Sequence, residues 1–165
     1  MPPVIRSASH EDLPAIVEIY NESGVATTAS YDVEPVTLEE RTAWFERLRN
    51  QGHPVLVLEE DGRVVGFASY GPFRDKAAYL HTVEHSVYVA EGSRSNGAGR
   101  MLLGALLDHA QGCGVHVMIG VLDADNAASR AFHKSLGFVE SAVLSEVGRK
   151  FGCWLDVVFV THHFD

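Results

Sequence analysis

A β-branched strand that passes through a glycine-bearing loop into a leucine-striped helix narrows the fold more than any other segment of this chain. Val87-Tyr88-Val89 ends the strand, and after a polar stretch Arg94-Ser95-Asn96-Gly97-Ala98-Gly99-Arg100 leads directly into the helix. Met101, Leu102, Leu103, Leu106 and Leu107 then fall at the spacing that gathers apolar side chains on one helical face, predicting a helix over residues 99–110. The apolar run over residues 115–122 follows and reads as another strand. Strand, loop, helix and strand in this order call for a sheet with helices laid against it.

The flanking segments extend this reading. Residues 4–8 read as a first strand. Ser9-His10-Glu11-Asp12 resembles a capping box and opens a helix to about residue 20, with Leu13, Ile16, Val17 and Tyr20 on its apolar face. Thr37-Leu38-Glu39-Glu40 is a second capping box, opening a helix through Trp44, Phe45 and Leu48. Residues 54–60 and 63–70 read as a hairpin, because Asp61-Gly62 between them supplies the positive φ angles of a tight turn. A strand over 81–89, a short helix over 126–136 ended by Gly137, and two strands near 138–147 and 154–160 complete the order βααβββαβαββ. A mixed α/β (α+β) sheet with helices on both faces accounts for that order.

With 165 residues and no repeat, low-complexity tract or linker, a single domain over residues 1–165 is expected. No apolar run is long enough to cross a bilayer, and Met1-Pro2-Pro3-Val4-Ile5-Arg6 lacks the charged-then-apolar layout of a signal peptide. Cys113 and Cys153 lie far apart without CxxC spacing, so a reduced thiol pair and a cytoplasmic location are expected. Lys and Arg number 13 against 22 Asp and Glu, a net charge of −9. Such a surface repels nucleic acid and anionic membranes, so neither is expected as a partner, and any anionic ligand has to be held by local design.

The glycine loop has that design. Glycines let a ligand approach the backbone, free N–H groups at a helix N-terminus attract anions, and Arg94 and Arg100 add positive charge. A pyrophosphate group suits it; a solvent loop that happens to hold two glycines is the plain alternative. Three better-known motifs fit less well. A P-loop needs Lys and Ser or Thr after its glycine, but Gly99 is followed by Arg100-Met101. The dinucleotide pattern GxGxxG puts Leu102 at its third glycine, although Asp123 ends the next strand where a ribose-binding acid would stand. His81-Thr82-Val83-Glu84-His85 matches HxxEH of inverted zinc peptidases, but that chemistry needs a helix. In a strand the two histidines stand about 13 Å apart, so no metal is expected.

Arg94-x-x-Gly97-x-Gly99 after Val-Tyr-Val, followed by Asn126-Ala127-Ala128-Ser129 and His133-Lys134-Ser135-Leu136-Gly137-Phe138, resembles the GNAT acetyltransferase superfamily. The resemblance implies a mixed, mostly antiparallel central sheet and acetyl-coenzyme A as co-substrate. It places the coenzyme pyrophosphate on the loop Arg94, Ser95, Asn96, Gly97, Ala98, Gly99 and Arg100. The pantetheine arm then lies along the backbone of Val87, Tyr88 and Val89, and Asn126 and Ser129 flank the thiol end.

A narrower similarity covers nearly the whole chain. Arg6-Ser7-Ala8, Asp12-Leu13-Pro14-Ala15-Ile16, Thr27-Thr28-Ala29, Pro35-Val36 and Trp44-Phe45 resemble the phosphinothricin and methionine sulfoximine acetyltransferase branch. So do Tyr70-Gly71-Pro72-Phe73-Arg74, Thr82 through Val89, and Val147-Gly148-Arg149-Lys150-Phe151-Gly152 with Trp154-Leu155-Asp156. Members acetylate the α-amino group of phosphinothricin, methionine sulfoximine, methionine sulfone or related amino acids, and are typically homodimers. Where they follow the arginine with proline and an aromatic, this chain has Asp75-Lys76, which changes the shape and charge expected of the acceptor site.

Amide formation needs a neutral amine, a polarised thioester carbonyl and a proton for the departing thiolate. On an alternating strand Glu84 shares a face with Thr82, Ser86 and Tyr88, and by resemblance it is the base, acting directly or through water. A glutamate on a solvated strand face is its plain reading. A backbone N–H near Val87 suits the thioester oxygen as charge develops there. His133 stands where many GNAT enzymes carry a tyrosine thought to protonate the thiolate; a helix-surface residue touching the coenzyme is the other reading. Asn126 is both a candidate coenzyme contact and a candidate N-cap. Phe73, Arg74, Asp75 and Lys76 are the expected acceptor-binding segment, with the planar fork of Arg74 suited to carboxylate or phosphinate oxygens. The expected function is acetyl transfer to an amino-acid amine. The alternatives are a GNAT enzyme for a polyamine, drug or protein terminus, and an acyl-coenzyme A sensor without turnover. A nucleotide-dependent oxidoreductase is a remote fourth.

Overall fold

The computed structural model describes residues 1–94 and 96–165. Strand β1 (Val4–Ser7) leads through a 3₁₀ turn into helix α1 (Leu13–Tyr20), which ends in a π-helical turn over Asn21–Val25. Helix α2 (Leu38–Asn50) precedes the hairpin β2 (Val55–Glu60) and β3 (Arg63–Pro72), then β4 (Thr82–Val89). Helix α3 (Ala98–Gly112), strand β5 (Val117–Asp123), helix α4 (Ala127–Ser135) and the long pair β6 (Val139–Lys150) and β7 (Cys153–His163) follow. This is the order expected from the sequence. Among the described residues the strands form one seven-stranded sheet, β1-β2-β3-β4-β5-β7-β6, antiparallel except for β4 with β5.

The local signals act as their chemistry requires. The Thr37 hydroxyl accepts from the Glu40 N–H at 3.1 Å while the Glu40 carboxylate accepts from the Thr37 N–H at 2.8 Å, so two otherwise orphaned donors at the start of α2 are satisfied. Asp61 and Gly62 both take positive φ, +49° and +76°, and the β2–β3 turn closes on them. Strand β3 runs past its expected end to Pro72, because β4 pairs with it through Pro72 and Val83.

Alternation divides the core. On β2, Leu56 and Leu58 face one side of the sheet and Val55 and Val57 the other, so the whole run is buried. Leu102, Leu103, Leu106 and Ala110 of α3 cover the first side with Val83, Met118 and Val158; α1 and α2 cover the second with Ile16, Ile19, Phe45 and Phe67. Each fully buried side chain of this size stabilises the fold by about 1.5–3 kcal/mol. Among the described residues no helix is long and apolar enough to cross a membrane.

The one parallel pairing is short. Strands β4 and β5 are registered only from Thr82–Val117 to Glu84–Ile119, although β4 continues to Val89 and β5 to Asp123. The ladder stops at His85. Its ring Nδ1 donates to the Ile119 carbonyl at 3.1 Å, and its Cε1 lies over Gly120. A Cβ at Gly120 would stand 2.6 Å from that carbon and 2.8 Å from Cγ2 of Val160. Gly120→Ala is therefore expected to overpack the divergence point and cost about 1–3 kcal/mol, read as a lower urea midpoint at constant m-value. An unchanged midpoint would show that the ring and Val160 yield freely.

Candidate active site

Beyond Glu84 the two strands separate, and a cavity of about 700 Å³ occupies the gap between β4, β5 and the N-terminal ends of α3 and α4. The backbone of β4 supplies part of its wall in a definite orientation. Ala90 donates to the Val65 carbonyl and Phe73 to the Thr82 carbonyl, so even-numbered residues of β4 turn their N–H and C=O toward β3. The main-chain groups of Val87 and Val89 therefore face the gap, where no strand pairs with them. The Val89 carbonyl is met there by the Ser23 hydroxyl at 2.9 Å, a contact made by the π-helical turn.

The far end of the cavity is the start of α3. Gly97 caps the helix at φ +81°, a left-handed conformation that costs glycine nothing, and its carbonyl accepts from the Met101 N–H at 3.0 Å. The N–H groups of Ala98, Gly99 and Arg100 come before that first bond and are free for an anion. Gly97, Ala98, Gly99 and Arg100 line the cavity together with Arg94, Val87, Tyr88 and Val89. Asn96 is exposed and lies outside the wall, and Ser95 lies outside the described residues. A Cβ on Gly99 would touch the Phe132 ring at 3.4 Å, so α3 and α4 approach closely at this point. The guanidinium of Arg100 donates to the Ser135 hydroxyl at 2.6 Å, tying the loop to the end of α4.

At the other end Asn126 caps α4, its side chain accepting from the Ser129 N–H at 3.0 Å, and Asn126, Ser129 and His133 all border the cavity. The His133 ring is buried and turned inward. Its Nδ1 donates to the Ser129 carbonyl at 2.8 Å, and its Nε2 stands 2.9 Å from Nε2 of His85. Burial pushes His133 below its ordinary value, opposed by the bond to Ser129.

A second cavity of about 390 Å³ adjoins the first, lined by Glu84, Ser86 and Tyr88 on β4, Tyr20 on α1, and Thr28 through Asp32. Thr28, Ala29, His85, Ser86, Tyr88, Val121, Leu122 and Asp123 border both cavities, so they meet where the strands part. The Thr28–Asp32 wall is held from two sides. The Tyr20 hydroxyl donates to the Asp32 carboxylate and accepts from the Ser30 hydroxyl at 2.7 Å. From the end of β6 the buried Lys150 ammonium donates to the carbonyls of Thr27 and Ser30, both at 2.6 Å. The Arg41 guanidinium lies 4.1 Å over the Tyr20 ring behind this wall.

Glu84 lines the second cavity and is itself exposed to solvent. Desolvation raises its pKa above the ordinary carboxylate range, and the positive charge of Arg74 works against that rise. Arg74 is thus close enough to be felt, yet Phe73, Arg74, Asp75 and Lys76 form an exposed loop beyond both cavity walls, with the Arg74 guanidinium 5.0 Å over the Phe73 ring. Charges lining the second cavity come from Glu84, Asp32 and Asp123. Sequence reasoning weighed His85 only in the rejected zinc motif and Asp123 only in the rejected dinucleotide reading, and did not single out Asp32 or Tyr20 as site residues. The alternation that set Glu84 on one face of β4 also set His85 beside Val83 on the other, and that was the one signal available. Among the described residues no three His, Cys, Asp or Glu side chains stand close enough to hold a metal ion.

Comparison with known proteins agrees with this geometry. The sequence model of the Acetyltransferase (GNAT) family matches residues 13–138. The L-amino acid N-acyltransferase MnaT of Escherichia coli (strain K12) is 46% identical over 161 residues, 98% of this chain and 94% of the relative. An L-methionine sulfoximine/L-methionine sulfone acetyltransferase of Pseudomonas aeruginosa is 44% identical over 162 residues, with the same coverage of 98% and 94%. The crystal structure of a GNAT superfamily phosphinothricin acetyltransferase from Sinorhizobium meliloti in complex with acetyl-coenzyme A superposes with a TM-score of 0.95 at 33% identity, over 99% of this chain and 89% of that one.

The raised pKa of Glu84 has a consequence for stability. A carboxyl whose folded-state pKa lies above its unfolded value contributes stability that is fully present below the unfolded pKa and lost as pH rises through the folded one. Glu84→Gln is therefore expected to raise the urea midpoint at neutral pH and to leave it unchanged below the ordinary carboxylate range. A lower midpoint at neutral pH would show that Arg74 outweighs desolvation.

Proposed function

The chain belongs to the GNAT acetyltransferase family, and from that premise we propose that it moves the acetyl group of acetyl-coenzyme A onto the α-amino group of a small amino-acid-like acceptor. It is an acyl-coenzyme A-dependent enzyme, and the acceptor class is that of methionine sulfoximine, methionine sulfone and phosphinothricin. The observation that carries this reading is the shared wall of the two cavities. A thioester lying along Val87–Val89, with its pyrophosphate at Gly97–Arg100, brings its acyl carbon to the point where the second cavity opens. An amine in that second cavity meets it beside Glu84.

The roles follow from position. The co-substrate is held by Arg94, Gly97, Ala98, Gly99 and Arg100, by the backbone of Val87, Tyr88 and Val89, and by Asn126 and Ser129; Ser95 and Asn96 are assigned to it by family resemblance alone. Glu84, directly or through a water, takes the ammonium proton; its pKa, raised from the ordinary glutamate value, brings it nearer the working range of a base. The freed amine attacks the thioester carbon while the oxygen's growing charge faces the main chain at Val87. The carbon–sulfur bond then breaks, and His133 gives the sulfur a proton. Arg74 at the mouth, flanked by Phe73, Asp75 and Lys76, receives the acceptor's carboxylate.

A second reading rests on the charges of the acceptor cavity. Carboxylates of Asp32, Glu84 and Asp123 line it, which suits an acceptor with a further cationic group, such as a polyamine or a protein terminus. Thiol release from acetyl-coenzyme A separates the two, measured over phosphinothricin, methionine sulfoximine, methionine sulfone, plain amino acids and polyamines. Turnover of the first three, lost in Glu84→Gln and with KM raised roughly tenfold or more in Arg74→Ala, is the expected result. Turnover of polyamines alone, indifferent to Arg74→Ala, would establish the second reading. Coenzyme binding with no turnover of any amine would make the chain a sensor.

The chain acts as a single cytoplasmic domain over residues 1–165 and as a homodimer. The dimer is supported by the edge strand β6 and its turn, which leave Val139, Val143, Leu144, Val147, Phe151 and Trp154 exposed. Light scattering is expected to give twice the 18.0 kDa chain mass, and a monomer at micromolar concentration would refute it.

A further inference from the structure

A main-chain carbonyl accepts hydrogen bonds and never donates them, and this fixes the hydrogens of the buried His85–His133 pair. Nδ1 of His85 lies 3.1 Å from the Ile119 carbonyl oxygen and Nδ1 of His133 lies 2.8 Å from that of Ser129, so both Nδ1 atoms carry hydrogen. Two neutral imidazoles have no hydrogen left, and each Nε2 is then a bare lone pair. Yet the two Nε2 atoms face each other at 2.9 Å, the distance of a hydrogen bond. One more proton between them satisfies all three contacts. A neutral pair has to turn one Nδ1 lone pair onto a carbonyl oxygen.

We propose that His85 is a positioning residue that shares one proton with His133, and that this proton is the one the pair gives to the sulfur leaving the acyl group. The inference rests on the acyl-transfer reading for its last step and on geometry alone for the shared proton. Both rings border the larger cavity, so the pair lies against its contents. Around them stand Ser129 and Phe132 from α4, Gly120 from β5, Val160 from β7 and Phe138, whose ring is 5.3 Å from His85 and 5.2 Å from His133. Asp123 on β5, Glu84 on the other face of β4 and Asp32 are the carboxylates of the cavity walls. Burial, and next the charge of His133 itself, work against a cation here, pushing His85 down to about 3, while the carbonyl bonds work for it. The N–H···N bond is the further contact that offsets burial, because it spreads the charge over two rings.

The proton balance closes. An N–H bond of the pair breaks, its electron pair stays on nitrogen, and a sulfur lone pair takes the proton as the thiol forms. The acceptor nitrogen gives up two protons to Glu84 and water, one returns from water to reload the pair, and one is released per turnover. His85 also ends the β4–β5 ladder, so the side chain that parts the strands is the one that holds the acid.

Nitrogen-15 NMR of the histidine-labelled full chain tests the shared proton without any substrate. Three ring hydrogens on the pair and a nitrogen–nitrogen coupling between the two Nε2 atoms are expected at neutral pH, with the coupling lost in His85→Phe. Two hydrogens and no coupling in the unaltered chain would overturn the proposal. With any amine that the unaltered enzyme acetylates, His85→Phe and the more conservative His85→Gln are expected to lower kcat by about 100-fold while KM for acetyl-coenzyme A stays within about twofold. A raised KM with unchanged kcat would reduce His85 to packing and overturn its positioning role. Absence of turnover in the unaltered chain would sink the acyl-transfer reading, and with it the delivery of the proton to sulfur, while three ring hydrogens against two on the coupled pair still decide whether the extra proton is held.

Discussion

The site exists because one parallel pairing stops early. Three residue pairs join β4 to β5, and at the end of that short ladder the His85 imidazole bonds the Ile119 carbonyl. From there the strands diverge with both outer flanks still paired, β4 to β3 and β5 to β7, so the sheet keeps its stability on either side of the opening. An unpaired buried main-chain group is costly, and a gap of this kind persists because a ligand or water can satisfy what the missing strand does not. The cavity, the exposed edge of Val87 and Val89, and the meeting of the two cavities all depend on that divergence.

Charge is sorted along the opening. In a chain with a net charge of −9, the start of α3 gathers Arg94, Arg100 and three free N–H groups at one end of the larger cavity. Glu84 and Asp32 line the second cavity alone, and Asp123 on β5 stands where the two cavities meet. An anionic coenzyme and an amine are thereby drawn to different ends, and their reactive atoms meet between. Arg74 lies outside the walls, where it moderates Glu84 without filling the acceptor space.

How much of this was legible in the sequence depends on how far apart the partners lie. Thr37 and Glu40 are three residues apart, Asp61 and Gly62 adjacent, and the α3 stripe is a periodicity within one helix, so each element could be read locally and their order came out as expected. The same holds for the glycine loop and for Asn126, whose neighbours in the chain are their neighbours in space. The acceptor wall could not be read that way: Lys150 grips carbonyls 123 and 120 residues upstream, and the His85–His133 bond spans 48 residues. No composition or spacing rule announces such contacts. Alternation on β4 put His85 on the inward face, but the ring that meets it comes from α4. The π-helical turn after α1 was likewise hidden, because it is defined by what Ser23 reaches on β4 rather than by any local preference of Asn21–Val25.

In the proposed site, strand β4 turns main-chain atoms of Val87 and Val89 to the coenzyme and the side chains of Glu84, Ser86 and Tyr88 to the acceptor. Side chains can be exchanged one at a time by single substitutions; N–H and C=O groups are common to every residue except proline, which lacks the first. The two halves of the site therefore differ in what mutation can reach. Acceptor preference can drift through positions 84, 86 and 88 while the coenzyme keeps the same edge to lie on, so a lineage built on this strand can change what it acetylates without having to relearn its donor.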